Sequence, residues 1–183
     1  ASGYLWVFLG TGDRNFPNDT SSNRFYGIKD NTNMTNGSAL NETNLVNSTA
    51  GTAITQGWYL LLRSNEKVLS AATAFNDVVF FSTYTSGAAV TCEHPRGSAS
   101  LWAVNMLTGR AGVDWGTHQY INNPTPDQTR YRTIGGGIPT RPVVSPGSGG
   151  DAIVTGTSDG ELATDTMPRI ARRRVRYWRE VLN

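Results

Sequence analysis

Short runs in which apolar and polar positions alternate recur along the chain, and turn residues end each of them. The runs are too short for amphipathic helices and are rich in Val, Phe, Tyr and Thr, which is typical of β-strands. In chain order they read GYLWVFLGTGD, NRFYGIKD, GWYLLL, EKVLSAATAF, NDVVFFSTYT, ASLWAVN, AGVDW, GIPTRPVVS, DAIVTGTSDG, ELATDTM and RRVRYWREVL. This pattern predicts an all-β chain with almost no helix.

Two longer polar stretches interrupt the runs. The first, 30–56, is dominated by Asn, Thr, Ser and Gly and has few large apolar side chains to offset the entropy of ordering a core. We predict a solvent-exposed, mobile insertion there. The second, 116–136, carries two prolines and is predicted to be a loop.

The order of the runs repeats. Residues 67–115 hold four strand candidates, with a tight turn at Asn76-Asp77, and 137–182 repeat that order. Residues 3–62 match the last three strands of the same unit, with 30–56 inserted. A four-stranded unit that recurs every roughly 40–50 residues is typical of a β-propeller blade. We therefore predict one domain, 1–183, that is a partial propeller of about three antiparallel blades with an incomplete first blade. A β-sandwich is the alternative fold.

The blade interpretation assigns roles to the large side chains. Val79, Phe80, Trp102 and Trp115 should fill the gaps between adjacent blades, because one small twisted sheet cannot bury both of its faces. Propellers close with typically four to eight blades, so about three blades leave an open arc. We expect either a fragment of a longer protein or a subunit completed by a partner chain through strand pairing at the open edge.

Charge is small overall but unevenly placed. The net charge is +2, yet six arginines crowd the last fifteen residues: Arg169, Arg172, Arg173, Arg174, Arg176 and Arg179. A nucleic-acid or membrane patch is one interpretation. The alternation in RRRVRYW favours a strand with Val175 and Tyr177 on one face and arginines on the solvated face. We predict no nucleic-acid partner, and no membrane span because no apolar run reaches about 18 residues.

Candidate catalytic and ligand-binding residues are few. Cys92 is the sole cysteine, which leaves a loop thiol or half of a bridge to a cysteine outside the chain. The two histidines, His94 and His118, lie in polar stretches, and Ser98 with His94 and an Asp matches no nucleophile motif. The GTG and GGG groups lack the context of a phosphate-binding loop. The sequence therefore predicts a protein that is not an enzyme by itself, with no catalytic or cofactor-binding residues.

Several Asn-X-Ser/Thr triplets lie in or near the first polar stretch. In a secreted eukaryotic protein they would be glycan acceptors, but such triplets arise easily by chance in an Asn/Thr-rich loop. They indicate a solvent-facing surface, and glycosylation stays open. The triplets begin at Asn18, Asn33, Asn36, Asn41 and Asn47.

Taken in order, WVFLGTGDR, NRFYGIKD, GWYLLL, SLWAVNMLTG, GGGIPTRPVV and YWREVLN resemble the C-terminal propeller of PilY1-type proteins, the tip-associated adhesins of bacterial type IV pili. The resemblance implies an extracellular, cell-surface propeller with roles in pilus assembly, surface attachment and twitching motility. Its implied partners are pilus components and a host or abiotic surface.

Two features limit the resemblance. Many members of that family bind calcium through spaced Asp and Asn residues, but GTGDRNFPND and TSDGE lack that spacing, and Asp159-Gly160 fits a β-turn. Calcium is therefore implied by the resemblance only, and metal ligands stay unassigned.

The repeat LWAVNMLTG also resembles the blades of quinoprotein dehydrogenases. Two alternative interpretations therefore stay open. In them, the chain is either a fragment of such a dehydrogenase or a structural subunit of an extracellular filament that a partner chain completes.

Overall fold

The computed structural model describes residues 5–30, 40–48, 54–87 and 97–168. Within them the chain forms fourteen strands and one short 3-10 helix, Glu42–Asn44, and no α-helix, so the all-β prediction is confirmed. The strands are β1 Leu5–Gly10, β2 Arg24–Asp30, β3 Val46–Asn47, β4 Gly57–Leu61, β5 Glu66–Lys67, β6 Thr73–Phe75, β7 Val78–Thr85, β8 Ser98–Asn105, β9 Val113–Asp114, β10 Gln119–Tyr120, β11 Tyr131–Gly136, β12 Val143–Gly147, β13 Gly150–Gly156 and β14 Leu162–Met167.

The strands form three main sheets and a small ribbon. The first sheet has the order β1-β2-β4-β3, the second β11-β8-β7-β5 with β6 also on β7, and the third β12-β13-β14. Strands β9 and β10 form the ribbon. All pairs are antiparallel except β3 with β4, and none of the sheets closes on itself. The described residues are therefore an open all-β arrangement.

Local sequence explains the hairpin at the centre of the second sheet. Asn76 and Asp77 both adopt positive φ angles, 49° and 59°, as a tight two-residue hairpin turn requires. The turn pairs Thr73–Phe75 with the start of β7. The next strand, β8, then pairs with β7 over its whole length. This part of the sheet follows the sequence prediction.

The first sheet covers one face of the second sheet. Val79, Phe81 and Trp102 lie on this face and pack against Phe25 and Trp58 of the first sheet. The rings of Phe25 and Phe81 are stacked, with centroids 3.7 Å apart and planes 3° from parallel. Gly27 allows the close approach, because a Cβ there would lie 2.4 Å from Cε2 of Trp58. Stacked aromatic rings therefore join the first sheet to the second.

The opposite face of the second sheet is covered by the third. Val78 and Phe80 of β7, with Leu101 of β8, form one buried cluster with Ile153 and Met167 of the third sheet. Successive residues of a strand point to opposite faces, so β7 contributes to both clusters in turn. The three sheets are therefore packed in series, face against face, with the second in the middle.

Two polar stretches that were expected to be loops carry strands. In 116–136, β11 pairs with β8 and Tyr131 packs on Trp102, with ring centroids 4.7 Å apart. The side chain of Ile134 is also buried, and its burial adds to the stability of this strand. The loop prediction for 116–136 is therefore wrong at two places. Gln119–Tyr120 pairs with β9, and at the end of the stretch the pairing of β11 with β8 offsets the polar composition.

The insertion 30–56 is also partly ordered. The short helix and β3 lie on the first sheet, where β3 pairs with β4. Glu42 forms an ion pair with Arg24 at 3.0 Å and accepts a hydrogen bond from the Tyr26 hydroxyl at 2.8 Å. Residues 40–48 thus depart from the prediction of a wholly exposed, mobile insertion, because these contacts hold them to β2.

Two further strands differ from the sequence pattern. The run EKVLSAATAF was expected to be one strand, but β5 and β6 are separated by an irregular segment, 68–72. The run AGVDW forms only the two-residue β9, which pairs with β10, while Ala111 bridges to Val104 of β8. In the third unit, the first strand begins at Val143, later than the run GIPTRPVVS suggested.

Some predictions lie outside the described residues. They include the strand expected within 173–182 with its arginines, Cys92, His94, and the triplets at Asn33 and Asn36. None of the described residues forms a helix of the length and apolar character needed to cross a membrane.

The predicted core positions differ in depth. Val79, Phe80 and Trp102 are buried as predicted, whereas Trp115 is half-buried at the margin of the cluster between the second and third sheets. We expect Trp102→Ala to lower the free energy of unfolding by about 3–5 kcal/mol through cavity formation, and Trp115→Ala to lower it by less. Urea unfolding measures both. Equal losses would contradict the difference in burial.

Candidate functional site

A buried carboxylate connects four segments of the second sheet. Glu66 is fully buried, and its Oε1 accepts hydrogen bonds from Trp102 Nε1 at 3.0 Å, from Arg63 Nη2 at 2.8 Å and from the Thr83 hydroxyl. Its Oε2 accepts from Arg63 Nε at 3.0 Å. Each carboxylate oxygen is thus satisfied inside the protein, as a buried charge requires.

The arginine of this network is also fixed. The Arg63 guanidinium lies over the Tyr131 ring, 4.0 Å from its centroid, and donates to Ser100 Oγ at 2.8 Å. Burial by itself raises the pKa of the Glu66 carboxyl, but the hydrogen bonds from Arg63 and Thr83 lower it by more, so this pKa lies below its ordinary value. These contacts hold β5, β7, β8 and β11 together, and we interpret the network as structural.

A second ion-pair cluster joins the second sheet to the third. Arg132 of β11 donates to Oδ2 of the buried Asp165 of β14, through Nε at 2.9 Å and through Nη2. His118 Nδ1 lies 3.6 Å from the other oxygen of Asp165. The Arg132 guanidinium lies over Trp115, 5.8 Å from the ring centroid. His118 is therefore held at a sheet junction, and Ser98 lies exposed at the start of β8.

Asp159 and Gly160 lie in a turn between β13 and β14. Gly160 has φ of 84°, and its amide donates to the Thr157 carbonyl at 3.0 Å. The Thr157 amide donates to the Glu161 carbonyl at 2.9 Å. This geometry fits the predicted β-turn. Within the part of the chain that the structure describes, no group of three or more His, Cys, Asp and Glu side chains is placed to hold a metal ion.

A cleft of about 560 Å³ lies where loops of all three sheets meet. Arg14 enters it from the loop between β1 and β2, Ser70 from the segment between β5 and β6, and Arg141 and Thr157 from the ends of third-sheet strands. The cleft combines two cationic side chains with several hydroxyl groups. Sequence analysis did not single out any of these four residues.

The outward face of the first sheet is the second candidate surface. Leu5, Val7 and Leu9 alternate with Trp6 and Phe8 along β1 and are 64%, 43% and 41% exposed. Leu61 of β4 is also exposed. Strand β1 is the edge of its sheet, and no described residue pairs with its outer side. An apolar face next to an unpaired edge is typical of an interaction surface.

Comparisons of the chain with protein-family models, with curated proteins and with solved structures find no match.

Sequence signals for these sites were uneven. The sequence interpretation predicted an open edge at an incomplete first blade. The Glu66 network had a faint signal, since a charged pair, Glu66-Lys67, opens an otherwise apolar run. Arg14 and Arg141 have no shared sequence signal, because only the packing of the sheets brings their loops together.

The Glu66 network predicts a specific pH dependence. A carboxyl whose pKa is lowered by folding stabilises the native state above its unfolded pKa of about 4.3, and the effect is lost as the pH falls through the folded pKa. Glu66→Gln should therefore reduce the free energy of unfolding at pH 7 by roughly 1–3 kcal/mol. The difference in the free energy of unfolding between this variant and the wild type should shrink below about pH 4.

Urea unfolding between pH 7 and pH 3 measures this difference, with Glu161→Gln, an exposed position, as the control. If Glu66→Gln lowered the free energy of unfolding by the same amount at every pH, this result would contradict the lowered pKa of Glu66.

Proposed function

We propose that this chain is a propeller-type binding and assembly module of an extracellular, pilus-associated adhesin, and that it acts by binding rather than by catalysis. One observation carries the proposal: three β-sheets are packed in series, and the series ends in an apolar face beside β1, an edge strand with which no described residue pairs on its outer side. Serial packing of small sheets is how blades of a propeller bury their faces.

Equivalent strands in the three sheets support this interpretation. Strands β7 and β13 each pair on one side with the strand that follows them in the chain and on the other with an earlier strand. The earlier partners are β5 and β6 for β7, and β12 for β13. Strand β1 pairs with the following β2, but no described residue takes the earlier position. The first sheet therefore has room for one more strand.

The proposed occupant is a second polypeptide that is rich in β-strands. One of its strands pairs with the free edge of β1, and a sheet of the same polypeptide packs with its apolar face on Leu5, Val7 and Leu9. This contact continues the interfaces that already join the first sheet to the second and the second to the third. Main-chain hydrogen bonds along an edge supply affinity in such strand addition, and side chains on alternate positions supply specificity. The assignment to a pilus adhesin rests on the sequence resemblance.

Without its partner, we expect the isolated chain to associate with itself through this surface. Val7→Lys places a charge at the centre of the apolar face, so it should convert the associated protein to a monomer. Leu107→Lys, at an exposed leucine of the turn after β8, is the matched control and should leave association unchanged. Size-exclusion chromatography with light scattering measures the mass. A monomeric wild type, or a Val7→Lys variant that associates equally, would overturn the assignment.

The pilus role needs a separate measurement. We expect the wild-type chain to co-sediment with purified type IV pili, and Val7→Lys to lose most of this binding while Leu107→Lys keeps it. Pili that fail to sediment the wild-type chain would remove support for the pilus assignment. Loss of association by Val7→Lys in the absence of pili would still identify the assembly surface.

A further inference from the structure

We infer that the cleft between the loops of the three sheets binds a carboxylate-bearing saccharide. This site is separate from the outward face of the first sheet and goes beyond the assembly function proposed above. Its volume of about 560 Å³ lies within the range of small-molecule sites, which is about 300–1,000 Å³. The inference depends on the charge, the polar groups and the apolar surface of the cleft lining.

The charge of the lining is positive. The Arg14 guanidinium has no hydrogen bond or ion pair to any described residue, and it projects from an exposed loop. Arg141 donates through Nε to Thr73 Oγ1 at 3.0 Å, which fixes the side chain and leaves its two Nη groups without a described partner. No Asp or Glu is among the described residues that line the cleft. Two arginines without a carboxylate favour an anion, and the guanidinium fork matches a carboxylate.

Hydroxyl groups next to the arginines favour a polyol rather than a bare anion. Ser158 Oγ accepts a hydrogen bond from the Ile138 amide at 2.9 Å and keeps its own proton to donate. A ligand hydroxyl beside the arginines can accept this proton.

Part of the remaining lining is apolar, and hydrogen bonds hold the floor of the cleft in place. Ala71, Ile138 and Pro139 offer carbon surface on which the C–H face of a sugar ring can pack. The floor is tied across two sheets, because Ser82 Oγ donates to the Thr140 carbonyl at 2.7 Å and lies 2.8 Å from Ser70 Oγ. A preformed cleft loses little entropy when it binds a ligand. Cation, hydroxyl and carbon surface together match a saccharide that carries a carboxylate.

Isothermal titration calorimetry of the full chain with trigalacturonate tests the inference. We expect saturable binding that weakens with added salt, because the contact is between charges. Arg14→Gln and Arg141→Gln should each weaken binding about tenfold or more. Arg24→Gln, an arginine on the outward face of the first sheet, is the control and should bind like the wild type. Arg14 makes no hydrogen bond or ion pair to a described residue, so its substitution tests the site with little effect on the fold.

Maltotriose and sodium sulfate separate the ligand classes. Maltotriose, which has the hydroxyl groups but no charge, should bind at least tenfold more weakly than trigalacturonate. Sulfate alone should also bind more weakly, since it makes no contact with the apolar lining. Absence of trigalacturonate binding, equal binding of either reference compound, or unchanged affinity of both arginine variants would overturn the inference.

Discussion

The structure depends on the burial of β7 and β8 on both of their faces. Val79 and Phe81 point to the first sheet, whereas Val78 and Phe80 point to the third. Four successive residues of one strand, which alternate between its two faces, therefore hold the three sheets together. The stacked rings of Phe25 and Phe81 make the first of these contacts, at 3.7 Å. A sheet buried on both faces cannot lie at the surface, and this constraint places the second sheet in the middle.

Because the middle sheet is enclosed, charged groups near it must be paired inside the protein. Glu66 meets this requirement within the second sheet through Arg63, Thr83 and Trp102, and Asp165 meets it through Arg132 at the junction with the third sheet. Both networks connect strands that are distant in the chain. They also specify a polar geometry that an apolar core alone would not.

The same packing creates two surfaces of different chemistry. The end of the series exposes an apolar face on β1, which suits another sheet. The loops at the cleft instead bring together Arg14, Arg141 and the Ser158 hydroxyl, which suit an anionic polyol. A module with both surfaces can be held in an assembly through one and contact a ligand through the other. The two proposals are independent, since a substitution at Val7 leaves the cleft lining unchanged.

The sequence by itself determined the elements whose signal is local. The alternation of VVFFSTYT and the Asn76-Asp77 turn specify β7 and its hairpin, because turn conformation and side-chain periodicity depend on adjacent residues. Tertiary structure alone decided β11 and β3, whose polar composition predicts loops until β8 and β4 supply hydrogen-bond partners. It also decided the cleft, since Arg14 and Arg141 become neighbours only when the sheets pack. Long-range pairing and packing have no local sequence signal, and for that physical reason the strands were largely predictable while the cleft was not.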